Sequence, residues 1–367
     1  MTSDETFMQR CLDLARNGLG STAPNPMVGA VIVHEGRIIG EGFHQSCGQA
    51  HAEVNAVNRV KDPGLLSKST LYVNLEPCNH QGRTPPCTGM ILKNRIPKVV
   101  IGQNDPNPLV AGSGVSRLRE NGVEVITGVL ERESRFLNRR FNTFHEQKRP
   151  YLILKWAQTR DGFVDTLRDE SGNERPTWIT DDACRRLVHK WRSEEPAILT
   201  GSNTIMMDNP RLNVREWSGK NPVRITIDRQ GRIPAANSII NPAIQHPKSD
   251  IQHPTSISLL DHTIPSLIYT CTDKSSKPNL EFIRISPDEP VWPQVLSDLY
   301  KRDIQSILIE GGPTLFKTLI DAGLWDEARV FTGPGWFGRG VKAPEFPFLP
   351  AAQETVGNSE VSIFFLT

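Results

Sequence analysis

The chain has 367 residues, enough for two or three domains with sizeable cores. Its 42 Lys and Arg nearly balance 41 Asp and Glu, leaving a net charge of +1 and no expectation of a nucleic-acid footprint. No apolar run approaches the roughly 18 residues of a membrane span, the opening MTSDETFMQRC lacks the apolar core of a signal peptide, and six cysteines in so long a chain are no disulfide scaffold, so a reducing cytoplasm is expected.

Residues 4–17 predict an amphipathic helix with Phe7, Met8, Cys11, Leu12 and Ala15 on one stripe. Ala23-Pro24-Asn25-Pro26 is a turn cluster. Residues 28–33 and 37–42 flank Glu35-Gly36 as a hairpin. A helix over 51–60 precedes a strand over 71–75 that ends at Glu76-Pro77-Cys78. A strand over 98–102, a helix over 113–121, a strand over 123–127 and one helix over 131–146 complete the half. Helices threaded between strands make it α/β.

The charged stretch 145–150 reads as a linker, dividing the chain into domains 1–147 and 148–367. Short β-rich runs then recur at 151–156, 197–200, 223–228, 267–271, 282–285, 306–309 and 328–332, with a closing strand over 361–366. Helical stretches lie near 180–193, 291–302 and 314–322. Residues 235–265 show no element and carry Ile-Gln-His-Pro twice. His246, His253 and His262 fall there without a cysteine or carboxylate pattern, so a solvated loop is expected rather than a metal site.

The chemistry concentrates in His51-Ala52-Glu53, Pro77-Cys78 and Cys87. One imidazole and two thiolates are three ligands for a tetrahedral zinc, with the fourth position left for water as a catalytic site requires. A structural zinc is disfavoured because only three ligands are in evidence and a carboxylate accompanies them. Glu53 is then the proton shuttle of a zinc deaminase acting on a pyrimidine-like ring. Residues two apart share no helix face, so His51 and Glu53 belong at a helix start. The other thiols, Cys11, Cys47, Cys184 and Cys271, read as core or loop residues.

Eight residues separate the two cysteines, where the common deaminase signature has two. The insert places His80 and Arg83 near the pocket, and Arg83 is suited to a substrate phosphate or is a solvated loop cation. Asn25 either bonds a ring edge or caps its turn; His44 is either a structural histidine or a ligand contact. In the second half no GxGxxG follows a strand. The stretch 307–315, where a strand ends in Gly311-Gly312 and a helix begins at Pro313 or Thr314, is either a phosphate cradle or a tight strand–helix turn.

Pro24-Asn25-Pro26-x-Val28-Gly29, His51-Ala52-Glu53 and Glu76-Pro77-Cys78-x-His80-x-Gly82-Arg83-Thr84-Pro85-Pro86-Cys87 resemble the deaminase half of the bifunctional riboflavin-biosynthesis deaminase–reductase family. Asp105-Pro106-Asn107-Pro108 is similar to its turn beside the ribose phosphate. The resemblance adds Asp105 and Asn107 to Asn25, His44, His80 and Arg83 as substrate contacts. Leu154-Lys155, Asp161-Gly162, Trp178-Ile179-Thr180, 197–201, 204–215 and 310–315 resemble the family's reductase half. It implies NADPH held at Gln158, Trp178, Thr204, Asp208, Gly312 and Thr314, and substrate at Arg192, Leu212, Arg215 and Glu310. The fold implied is a cytidine-deaminase-like three-layer domain followed by a dihydrofolate-reductase-like α/β domain. The chain departs from the family over 165–176, a longer charged segment with Asp165 at a usually small position and Pro176 at a usual serine.

The reading is thus a two-step enzyme that deaminates a diamino-hydroxy-pyrimidine carrying phosphoribosylamine and then reduces ribosyl to ribityl. Its partner is a phosphorylated pyrimidine, with no nucleic acid and no membrane, in a homo-oligomer such as a dimer or tetramer. The competing readings are a nucleic-acid-editing cytidine or adenosine deaminase with an accessory domain, disfavoured by the charge balance, and a zinc-stabilised binding module.

Overall fold

The computed structural model describes residues 2–81, 85–108, 110–167, 178–234 and 257–366. They divide into two compact units, Met1–Arg149 and Pro150–Thr367.

In the first unit, α1 (Ser3–Ala15) opens on a capping box: Glu5 N donates to Thr2 Oγ1 while Thr2 N donates to the Glu5 carboxylate. β1 (Gly29–His34) and β2 (Arg37–Phe43) form the expected hairpin, with Glu35 and Gly36 both at positive φ. Then come α2 (Ala52–Asn58), β3 (Thr70–Leu75), α3 (Cys87–Lys93), β4 (Lys98–Gln103), α4 (Ser113–Glu120), β5 (Glu124–Thr127), α5 (Glu131–Leu137) and α6 (Arg139–Gln147). The sheet order is β2-β1-β3-β4-β5. The first three strands pair antiparallel and the last three parallel.

The two-residue period of the strands decides the layers. Ala30, Ile32, Leu71, Val73, Val99 and Ile101 pack against Ala52 and Ala56 of α2, Ile91 of α3, and Val115 and Leu118 of α4. Their neighbours Val31, Val33, Tyr72 and Val100 face Met8, Cys11 and Leu14 of α1. The result is three layers, with helices on both faces of the sheet. A side chain such as Ile101, with no exposed surface, contributes about 1.5–3 kcal/mol by burial.

The single helix expected over 131–146 is broken at Asn138, whose backbone leaves the helical region (φ −94, ψ 22). The buried Asn138 amide instead clamps Met27. Its Oδ1 accepts from Met27 N at 2.8 Å and its Nδ2 donates to Met27 O at 2.9 Å. Met27 O also accepts from Asn74 Nδ2 at 3.1 Å, so it is the buried Met27 N that depends on Asn138 for its acceptor.

The second unit contains β6 (Tyr151–Gln158), β7 (Phe163–Asp165), α7 (Asp182–Glu194), β8 (Ala197–Gly201), α8 (Ser202–Asp208), β9 (Val223–Asp228), β10 (Ser266–Thr270), β11 (Leu280–Arg284), α9 (Val291–Lys301), β12 (Ser306–Glu310), α10 (Pro313–Asp321), β13 (Glu327–Thr332), β14 (Val341–Lys342), β15 (Ala352–Val356) and β16 (Ser359–Phe365). Nine strands lie in the order β11-β10-β9-β8-β12-β6-β13-β16-β15. All pairs from β11 to β13 are parallel, and β16 and β15 close the edge antiparallel. Leu152, Leu154 and Trp156 point to the core with α9 and α10, whereas Tyr151 and Ile153 meet Cys184, Val188 and Trp191 of α7. Both faces are covered, as a parallel sheet requires.

The solvated loop expected over 235–265 is corrected at its end. Ile257, Leu259, Leu260 and Ile264 are buried around a 3-10 turn at Ser258–Leu260. The cause is Arg224 of β9, a fully buried cation. It donates to Ser258 O at 2.8 Å and Ile264 O at 3.0 Å, and pairs with Asp261 at 2.7 Å. His246 and His253 lie outside the described residues; His262 hydrogen-bonds Pro278 O through Nδ1.

Candidate functional site

In the first unit three chain segments converge. His51 is the N-cap of α2, so the side chains of His51 and Glu53 leave the end of the helix rather than opposite faces. Cys87 opens α3 and Cys78 lies just beyond β3, its Sγ accepting from Cys87 N at 3.4 Å. His51 Nδ1 is 3.5 Å from Cys78 Sγ and 3.3 Å from Cys87 Sγ, and the three donor atoms lie within 4.8 Å of one another. A tetrahedral zinc with ordinary bond lengths sets its nitrogen and sulfur ligands about 3.6 Å apart. The donor set therefore fits a zinc ion in both chemistry and spacing. The Cys87 thiol and the His51 ring, outweighing burial, hold the Cys78 thiol down, while its bond to Cys78 and burial push the Cys87 thiol well up, so the two sulfurs share one proton that a metal ion would displace. Glu53 is 3% exposed, and burial pushes its carboxyl up.

Behind the ligand histidine stands His44. Its Nδ1 bonds Ala50 O at 3.1 Å, which assigns the proton there, and its Nε2 then accepts from Asn25 Nδ2 at 3.0 Å. The ring meets His51 edge-on, with centroids 5.5 Å apart. Both His44 nitrogens are thus occupied within the protein, and burial favours its neutral form. Asn25 does more than cap its turn, because its amide is aimed by His44. His80 is exposed on the segment after Cys78. Asp105 is half-buried; burial pushes its carboxyl up to about 6, and Asn107 N donates to its Oδ1 at 2.8 Å. Arg83 lies outside the described residues.

In the second unit the candidate residues gather at the carboxyl ends of the parallel strands, where ligands of open α/β sheets bind. Glu310, last in β12, is the register partner of Lys155 in β6. Arg192 of α7 grips Glu310 with two bonds of 2.8 Å and donates Nη1 to Asn213 O at 3.1 Å. One guanidinium therefore holds Glu310 against the turn that carries Leu212 and Arg215. Burial pushes the Glu310 carboxyl up, but Arg192 and Lys155 outweigh it and hold it at about 2. Burial lowers Lys155. Leu212 has a left-handed backbone and a buried side chain packed with Ile205 and Ile233, so only its backbone can face a ligand.

Gly201 ends β8 and Gly312 lies two residues beyond β12, and nothing lies within 4 Å of where a Cβ would stand at either. Gly312 is the N-cap of α10, with Pro313 next. Open backbone at a helix start fits the pyrophosphate of a dinucleotide. Thr204 and Asp208 lie on α8, which starts directly after Gly201. Thr314 is exposed in the first turn of α10. Gln158 Oε1 accepts from Trp156 Nε1 at 2.9 Å, and Trp178 is 70% exposed with Arg185 over its ring.

Sequence reasoning passed over three polar residues here. Glu76 is a buried carboxylate beside the cysteine loop, Lys155 a cation 3.8 Å from Glu310 with its side chain 15% exposed, and His189 a buried ring whose Nδ1 accepts from Arg215 N at 3.3 Å. A lysine at the polar end of a strand was the available signal for Lys155. The other two pair with backbone distant in sequence.

Residues 1–103 match the cytidine and deoxycytidylate deaminase zinc-binding region, and residues 150–348 match the RibD C-terminal domain. The riboflavin biosynthesis protein RibD of Aquifex aeolicus is 38% identical over 342 residues, 92% of this chain and 89% of that protein. The diaminohydroxyphosphoribosylaminopyrimidine deaminase/5-amino-6-(5-phosphoribosylamino)uracil reductase of Thermotoga maritima superposes with a TM-score of 0.81 at 36% identity, covering 98% of each chain. RibD of Acinetobacter baumannii gives 0.81 at 32% identity, covering 100% of this chain and 99% of that one.

Proposed function

Because the chain belongs to the RibD family of bifunctional riboflavin-biosynthesis deaminase–reductases, we propose that its first unit removes the ring amine of a diaminohydroxyphosphoribosylaminopyrimidine and its second reduces the ribosyl group of 5-amino-6-(5-phosphoribosylamino)uracil. The cofactors are zinc and NADPH. The observation that carries the first step is the convergence of His51 Nδ1, Cys78 Sγ and Cys87 Sγ beside the buried Glu53.

Zinc held by those three side chains supplies Lewis-acid activation of water. Glu53 takes the proton released as water attacks the ring carbon and delivers it to the departing amine, so a carbonyl replaces the amine and ammonia leaves. Its burial keeps the carboxyl prone to protonation, which suits a group that must hold and return a proton. Asn25, aimed by His44, meets the ring edge. His80, Arg83, Asp105 and Asn107 surround the ribose phosphate.

In the second unit Gly312, Thr314, Thr204, Asp208, Gln158 and Trp178 hold NADPH, the hydride source. Reduction of the ribosyl group places a hydride on the sugar carbon and a proton on the oxygen released by ring opening. Lys155, beside Glu310, is the group suited to supply that proton. Arg192, Arg215 and the Leu212 backbone orient the substrate, with Arg215 on its phosphate.

Each activity belongs to one unit, over 1–147 and 148–367. Six free cysteines suit a reducing cytoplasm, and no helix among the described residues is long and apolar enough to cross a membrane. A homo-oligomer is the assembly expected, testable by light scattering. Mass spectrometry of products from the pyrimidine substrate tests the whole reading. Without NADPH, exchange of the ring amine for a carbonyl, with water added and ammonia released, and with it a further gain of two hydrogens, is the expected pattern; no mass change would refute it.

A further inference from the structure

The residue that follows β3 on the way to Cys78 is Glu76, a carboxylate only 3% exposed. Among the described residues no cation pairs with it. Its charge is met instead by four backbone amides. Oε2 accepts from Asp105 N at 3.2 Å and Gly112 N at 3.0 Å, and Oε1 accepts from Gly114 N at 3.0 Å and Val115 N at 3.2 Å. Gly112 is the N-cap of α4 and has no side chain to fill that role. Glu76 caps the helix from outside, where a negative charge meets the positive end of the helix dipole.

The same carboxylate fixes both ends of the 105–112 segment. Within it, Asn107 O accepts from Val110 N and Ala111 N at 2.8 and 2.9 Å, and Asp105 accepts from Asn107 N. The fit is close: a Cβ at Gly114 would stand 2.1 Å from Pro77 O. One residue, Pro77, separates Glu76 from Cys78, so one short stretch carries both a metal-site thiol and the anchor of the loop with Asp105 and Asn107.

We propose that Glu76 is a positioning residue for the deaminase, holding the Asp105–Asn107 loop in register with the zinc site. The inference rests on the deaminase reading above and on those two residues facing substrate. Glu76→Gln keeps the size but gives one side-chain oxygen and turns an NH2 toward backbone donors. The expected result is full zinc content, a KM for the phosphorylated pyrimidine raised about tenfold, which is the worth of one lost charge-assisted hydrogen bond, and a smaller fall in kcat. Glu76→Asp keeps the charge but withdraws it by one methylene, and should raise KM by less than Glu76→Gln does, with zinc content again unchanged. In an Asn107→Ala background, Glu76→Gln should add little to KM, because both act through one loop.

Unchanged KM in both single variants overturns the proposal. So does a fall in zinc and kcat at constant KM, which would make Glu76 a support for Cys78 alone. If Glu76→Gln fails to fold, Glu76→Asp decides. Wild-type ammonia release, measured alongside, separates this outcome from failure of the deaminase reading: without it that reading falls, and with it only the role of Glu76 is in question.

Discussion

Arg192 closes on Glu310 through two parallel hydrogen bonds, Nε to Oε1 and Nη2 to Oε2, each 2.8 Å, with the two side chains 11% and 15% exposed. The pair joins α7 to the end of β12, and the third Arg192 donor reaches Asn213 O. Truncating one partner leaves a buried charge without its fork. Arg192→Ala should therefore lower stability by about 3–5 kcal/mol in chemical denaturation and abolish reduction, while ammonia release persists. Arg192→Lys should recover little, since an ammonium cannot make the bidentate contact. Wild-type reduction by either variant would remove Arg192 from the site.

His189 gives the same region a pH signature. Burial, then the cations of Arg192 and Arg215, outweigh Glu216 and Glu310 and hold its ring down at about 4 from an ordinary 6.5. Its neutral Nδ1 accepts from Arg215 N. A depressed histidine pKa means that the unfolded chain binds the proton first. Its stabilising contribution is complete above pH 6.5, falls as pH drops toward 4, and is spent below that. Urea titrations between pH 7 and 4 should show this loss, and His189→Gln should flatten the part due to this ring. A slope in that variant as steep as the wild type's would assign the acid sensitivity elsewhere.

Much of the first site was legible because its constraints are local. A histidine and a glutamate two residues apart can cooperate only at a helix start, and His51 is an N-cap. Short apolar runs in 28–33 and 71–75 gave the strands, as expected of strands buried on both faces. The helix break at Asn138 was hidden because its cause, Met27, lies 111 residues away. The ordered 257–264 segment was hidden for a like reason: Arg224 looks like a solvent-facing strand cation until its partners are in place. α8 is only seven residues, too short for periodicity to reveal. The His44 role needed both ring nitrogens to be seen occupied.

Glu53→Gln tests the proton shuttle. The substitution keeps the shape and leaves the three donor atoms untouched, so zinc content should stay at one per chain while ammonia release falls at least ~100-fold. Near-normal ammonia release would transfer the role to another group.

Arg83→Ala tests the phosphate contact that the sequence alone suggests. The variant should raise KM for the phosphorylated pyrimidine far more than for a dephosphorylated analogue, because only the first presents an anion to a guanidinium. Equal effects on both substrates would make Arg83 an ordinary loop cation.

The two activities should be separable in both directions. The zinc donors all lie between residues 51 and 87, and Lys155, Arg192 and Glu310 all lie beyond residue 150, each set inside its own compact unit. Chelation of zinc should therefore stop ammonia release but leave NADPH oxidation with the deaminated intermediate intact, since no reductase residue named above is a metal ligand. In the reverse direction, Asp208→Ala in the full chain should weaken NADPH binding and reduction. The deaminated, unreduced pyrimidine should then accumulate, because deamination comes first. A fragment of residues 148–367 should fold and reduce that intermediate alone, as expected of a unit with its own sheet and core. If Asp208→Ala instead abolished ammonia release in folded, zinc-loaded protein, the sites would be coupled and the division of labour between the units would fail.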